Sequence, residues 1–144
     1  MSVIGAAKDP DSLSLLLVAE FDAPIERVWQ LWADPRQLER WWGPPTHPPT
    51  IEKHDLTVGG EVSYFMRGPG GEESRGWWRV SSVNPPQWLE FRDGLARQDG
   101  TPNAQMPTTD VQIRLLEHGS GTRMELRFVF ASRAHGAAGA LGRV

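Results

Sequence analysis

The sequence predicts an α+β domain in which two short helices precede a long antiparallel meander of strands. Three observations predict it. The stretch from Phe21 to Pro45, FDAPIERVWQLWADPRQLERWWGPP, carries helical spacing punctuated by prolines. The rest of the chain alternates apolar and polar residues with a period of two, between turns rich in glycine and proline. The length of 144 residues fits one domain with a real core.

Residues 1–11 read as a loose, flexible arm, and residues 12–144 as the single domain. Leu13 to Phe21 reads as a strand, with Leu13, Leu15, Leu17, Ala19 and Phe21 on one face. Pro24 suits the first position of a helix, where a missing N–H is no loss. Ile25, Val28, Trp29 and Trp32 then fall at i, i+3, i+4 and i+7, one apolar stripe. Asp34 is a good cap for a second helix. Pro35 takes its first position, and Gln37 stands where a capping-box partner reaches back. Leu38, Trp41 and Trp42 repeat the spacing, and Gly43-Pro44-Pro45 stops the helix.

His47-Pro48-Pro49 is an extended linker. Thr50 to Val58 reads as the second strand, closed by Gly59-Gly60, and Glu61 to Arg67 as the third. Gly68-Pro69-Gly70-Gly71 is a hairpin turn; it lacks the Lys-Ser/Thr of a phosphate loop. Ser74 to Val83 and Trp88 to Asp93 are the next two strands, joined at Asn84-Pro85-Pro86. Gly94 to Thr108 reads as a long polar loop. Asp110 to Leu116 and Thr122 to Phe130 make a last hairpin around His118-Gly119-Ser120-Gly121. A meander of this kind needs something to cover its apolar face.

Composition narrows the function. A net charge of −3 gives no reason to expect nucleic acid or an anionic membrane as partner. With no cysteine there is no disulfide framework and no thiolate chemistry. No basic segment followed by an apolar run marks a signal peptide. The longest apolar run, Leu15 to Ala19, is far short of the roughly 20 residues that span a bilayer. The expectation is a cytoplasmic protein. Seven tryptophans stand against one tyrosine, enough for a thick core or the wall of a pocket.

Catalytic motifs are sparse. His54 and Asp55 are neighbours on a strand, so they point opposite ways and cannot act as a base with its orienting acid. His47, His118 and His135 fall at no metal-ligand spacing, so neither a metal nor another cofactor is expected. No serine sits in a G-x-S-x-G elbow.

Several short motifs stand in a fixed order: Phe21-Asp22-Ala23-Pro24, Val28-Trp29 with Trp32, Trp41-Trp42-Gly43-Pro44, Asp55-Leu56-x-Val58-Gly59-Gly60, Met66-Arg67-Gly68-Pro69-x-Gly71, Gly76, and Pro85-Pro86-x-x-Leu89. Taken together they resemble the Hsp90-ATPase-activator-homologue branch of the START/Bet v 1-like superfamily. The resemblance implies a helix-grip fold: a curved antiparallel sheet gripping a long C-terminal helix, with an apolar cavity between them. Family members close with a long amphipathic helix. Here only Ala131 to Val144 remain, with Gly136, Gly139 and Gly142 among them, so the gripping helix is expected to be short or truncated. A second copy of the chain is then the expected cover for the apolar face, as a homodimer.

Strand parity turns Val62, Tyr64 and Met66, Trp78 and Val80, Leu89 and Phe91, Val111, Ile113 and Leu115, and Met124, Leu126 and Phe128 inward. An apolar stripe is core in most folds; under the resemblance, the same residues become a cavity wall. The candidate ligand-binding set is Trp41, Trp42, His54, Val62, Tyr64, Met66, Trp78, Phe91, Met124 and Phe128. Trp41 and Trp42 stand where they could gate the mouth, although packing of the helices on the sheet is the plainer role. His54 could meet a polar ligand group, although a structural histidine is commoner. The resemblance supports three functions, in this order: a binding protein for a small apolar or aromatic ligand, an Hsp90-type co-chaperone or other protein-interaction module, and a polyketide cyclase/aromatase-like enzyme. The third needs polar groups in the cavity, and only Tyr64 and His54 are on offer.

Overall fold

The computed structural model describes residues 2–9, by their backbone, and residues 13–130. The elements run β1 (Ser2–Asp9), β2 (Ser14–Phe21), α1 (Ile25–Ala33), α2 (Pro35–Leu38), β3 (Pro49–His54), β4 (Glu61–Arg67), β5 (Glu73–Asn84), β6 (Trp88–Ala96), β7 (Thr109–His118) and β8 (Gly121–Phe130). They form one eight-stranded antiparallel sheet in the order β1-β2-β8-β7-β6-β5-β4-β3. The topology is the helix-grip, START-like arrangement.

The sheet explains the placement of the helices. β2 pairs with the last strand, so β3 begins six strand positions away across the sheet, about 29 Å at the usual strand spacing. α1 and α2 carry the chain over that distance along one face, and their apolar side lands on it. Ile25, Val28, Trp29, Trp32 and Leu38 are buried there. Thr122 Oγ1 donates to the Ala23 carbonyl at 2.7 Å and pins the start of the crossing. Asp34 caps α2 by accepting from the Arg36 amide at 2.9 Å. Gln37 contacts the Asp34 carboxylate at 3.4 Å, a looser variant of the expected capping box. Beyond Leu38 the chain continues in turns to Trp42, so α2 is shorter than the spacing predicts.

Three readings are corrected. The loose N-terminal arm is largely strand: Ser2–Asp9 pairs with β2 from Ser2↔Glu20 to Asp9↔Ser14. The second predicted strand stops at His54, because Asp55 folds into a turn, accepting from the Thr57 amide and hydroxyl. β6 runs on to Ala96, so Gly94 is a strand residue and the loop begins only at Arg97. The predicted short C-terminal helix, and the homodimer inferred from it, concern residues 131–144, which lie outside the described residues.

β3 forms one edge of the sheet, and α2 covers it. Ile51 N–H donates to Glu39 Oε2 at 2.7 Å, and Arg36 Nη2 donates to the Ile51 carbonyl at 3.1 Å. Every residue that parity turned inward is buried.

Candidate functional site

The inner face is built around tryptophan. Trp32, from the last turn of α1, is wholly buried. Trp41 lies 4.5 Å from it between ring centroids, and Trp42, Trp78 and Phe91 at 6.2, 6.1 and 6.3 Å. Trp78 stacks on Phe91 at 3.8 Å with 13° between the planes. Trp42 meets Trp78 edge-on at 4.9 Å. Aromatic pairs in such geometries each contribute about 0.5–1.5 kcal/mol beyond the area they bury.

The indole N–H groups divide into two kinds. Trp41 donates to the Leu31 carbonyl at 3.0 Å, Trp77 to the Leu95 carbonyl at 3.0 Å, and Trp32 to Met124 Sδ at 3.4 Å. Trp42 Nε1 and Trp78 Nε1 are buried with no partner; among the described residues only Arg75 Nε shares that condition. A buried donor without an acceptor costs about 1–3 kcal/mol. Two of them stand on adjoining rings of one cluster.

A polar pair interrupts the apolar face. Tyr64, on β4, donates its hydroxyl to Asp93 Oδ1 at 2.9 Å, and both are buried. Both also make further interactions. Gly76, opposite Tyr64 across the ladder, makes room for the ring: a Cβ there would run into it. Asp93 is a member of this face that the sequence reading passed over. The signal was present, since Leu89, Phe91 and Asp93 share one parity, but a carboxylate at a predicted strand end reads as a solvated terminus.

The structure draws most of the candidates together. Trp41, Trp42, Trp78 and Phe91 surround Trp32, which reaches Met124 through its N–H. Val62 pairs with Trp78 across the ladder, and Phe128 lies in register with Phe91 through Val111. Met66 fits under Gly43, in the turn after Trp42; a Cβ on Gly43 would come to 3.2 Å from its sulfur. His54 stands apart. Its Nε2 lies 2.9 Å from the Trp32 carbonyl, an acceptor only, so Nε2 carries the hydrogen and caps the end of α1. The contact ties the end of β3 to the end of α1.

The outer face is saturated with charge pairs instead. Arg75 bonds Glu52 and Glu73, Arg67 bonds Glu73, and Arg92 bonds Asp110. The hydrogen bond from Arg67 and the nearby guanidinium of Arg75 hold the Glu73 carboxyl below its ordinary range. Arg67 and Arg75 also lie 5.5 and 5.2 Å from the Phe65 ring centroid. Among the described residues, no group of three or more His, Cys, Asp or Glu side chains is placed to hold a metal ion. No described helix is long and apolar enough to cross a membrane.

A curved antiparallel sheet with two crossing helices on an aromatic inner face defines a START-like protein. Solved structures carry the same design. Protein Ms6760 from Mycobacterium smegmatis is 44% identical with a TM-score of 0.84, covering 96% of this chain and 85% of its own. A protein from Arthrobacter aurescens is 44% identical with a TM-score of 0.89, covering 97% of this chain and 81% of its own. A protein from Staphylococcus epidermidis, 20% identical with a TM-score of 0.80 over 97% of this chain and 82% of its own, shares the fold. No curated protein matches the sequence. The family model for the activator of Hsp90 ATPase homolog 1-like protein matches residues 22–140. The chain belongs to that family.

Proposed function

We propose that this protein binds a small, largely apolar or aromatic molecule that carries a hydrogen-bond acceptor, held against the inner face of the sheet. The observation that supports the reading is the pair of unpartnered indole donors, Trp42 Nε1 and Trp78 Nε1, on adjoining buried rings. Natural cores rarely leave such donors unmade, and each unmade donor marks a place where an acceptor is missing. A carbonyl or ether oxygen on a flat apolar body supplies the acceptor and keeps the apolar contacts. Tyr64 and Asp93 add a polar point on the same face, suited to orienting such a molecule. The chaperone-partner and cyclase readings have no comparable support, and His54 is already engaged at the end of α1.

The test compares two ligands of one shape. Fluorenone has a carbonyl where fluorene has a methylene. Titration calorimetry on the wild-type protein should show fluorenone binding about tenfold more tightly, the value of one well-made hydrogen bond. Replacing both Trp42 and Trp78 by Phe should remove that preference, and either single replacement should reduce it, with fluorene binding nearly unchanged. Equal affinity of the wild-type protein for both, or binding of neither, defeats the reading.

A further inference from the structure

A concavity lies beside the helices, at the end of β2. It opens between α1, α2 and the connection from β2, with a volume of about 310 Å³. Phe21, Val28, Leu31 and Trp41 form its apolar walls, and Arg27, Gln37 and Arg40 its polar rim. The Trp41 ring is locked in place because its N–H is bonded to the Leu31 carbonyl. The wall is therefore formed before any ligand arrives, which lowers the cost of binding.

Among the described residues, the rim carries two cations without a carboxylate partner. Arg36, Arg67, Arg75, Arg79, Arg92 and Arg123 each pair with a carboxylate. Arg27 instead donates from Nη1 to the neutral amide oxygen of Gln37 at 2.8 Å. That bond fixes the guanidinium at the rim without neutralising it. Arg40 forms no ion pair among the described residues, and no carboxylate lines the cleft. Two cations over an apolar floor, in a space at the lower end of ligand-site sizes, suit one class of molecule.

We propose that this cleft is a separate binding site for a small aromatic carboxylate, its ring against Leu31 and Trp41 and its carboxylate between Arg27 and Arg40. The cleft shares Trp41 with the cluster around Trp32, but neither arginine touches the inner-face donors Trp42 and Trp78, so the two readings are tested by different residues.

The probe is 2-naphthoate, with naphthalen-2-ylmethanol as its uncharged counterpart. Both are titrated into the wild-type protein and into the Arg27→Gln/Arg40→Gln double variant, with amide shifts recorded by NMR. In the wild type, 2-naphthoate should bind more tightly than the alcohol and shift the amides of Ala23 and Leu31. The double variant should weaken naphthoate about tenfold and leave the alcohol unchanged, since charge-assisted bonds carry the difference. Added salt should weaken naphthoate alone, because the rim is exposed. Both arginines are exposed, so the variant should fold, and unchanged amide shifts away from the cleft would confirm it. The proposal is overturned if naphthoate shows no binding at millimolar concentration, if it binds the double variant equally, or if its shifts fall on Val111 and Phe128 instead.

Discussion

Trp41-Trp42 and Trp77-Trp78 are the same dipeptide set in two kinds of backbone. In each, the first ring is partly exposed and gives its N–H to a carbonyl, while the second is buried with its N–H unpartnered. The backbones then distribute them differently. Trp41 and Trp42 leave a helical turn on the same side and both join the cluster around Trp32. Trp77 and Trp78 sit on a strand, so the pleat sends one to each face of the sheet. Trp77 lies over Gly94 on the outer face, and Trp78 stacks on Phe91 within. A turn concentrates a pair of large side chains on one site, whereas a strand divides it between core and surface.

The comparison can be broken most forcefully at its centre. Trp32 holds the helical pair against the strand pair, so Trp32→Ala should destabilise the fold by about 3–5 kcal/mol in urea denaturation. A variant that melts like the parent would show that the two pairs do not depend on a common ring. The two glycines sharpen the contrast between faces. Gly76→Ala pushes a methyl into the buried Tyr64 ring and should cost about 1–3 kcal/mol. Gly94→Ala presses on Trp77, 2.6 Å from the nearest ring atom, but that ring borders solvent and can move aside. It should cost clearly less, and equal costs would erase the distinction between the faces. Trp77→Phe, which strips the hydrogen bond to Leu95, should cost about 1 kcal/mol in the same measurement.

The smallest effect lies on the outer face and depends on pH. Arg67 and Arg75 depress the Glu73 pKa below its usual 4.5. A carboxylate with a lowered folded pKa stabilises the fold above its unfolded value, and that contribution is lost as pH falls below 4.5 and through the folded value. Stability measured across that range should fall slightly less steeply for Glu73→Gln than for the parent. The difference stays small because solvent screens the pair.

The sequence made the inner face legible because strand parity is rigid: once Leu89 and Phe91 point inward, nothing on that strand can turn without a bulge. The same rule turned Trp78 inward, which leaves its neighbour Trp77 to the outer face. It failed to promote Asp93, because a carboxylate is read as solvated unless its partner is known, and Tyr64 is 29 residues away on another strand. His54 was hard for a similar reason. Its partner is a helix-end carbonyl brought there only by the crossing of α1. Strand β1 was missed because a stretch of small residues, Gly5-Ala6-Ala7, gives little apolar alternation. Its identity comes from pairing with β2 rather than from its own side chains.

The clamp of Arg36 and Glu39 on Ile51 has a consequence for self-association. An open edge strand offers its backbone donors and acceptors to any passing strand and can seed end-to-end polymers. At Ile51 both groups are already engaged by side chains from α2 and the turn after it, and the strand begins at Pro49, which has no donor to offer. A growing fibre would have to evict two charged side chains before forming its first bond at Ile51. Disabling the clamp, as in Glu39→Ala, should therefore be felt less in folding than in how long a concentrated solution stays clear.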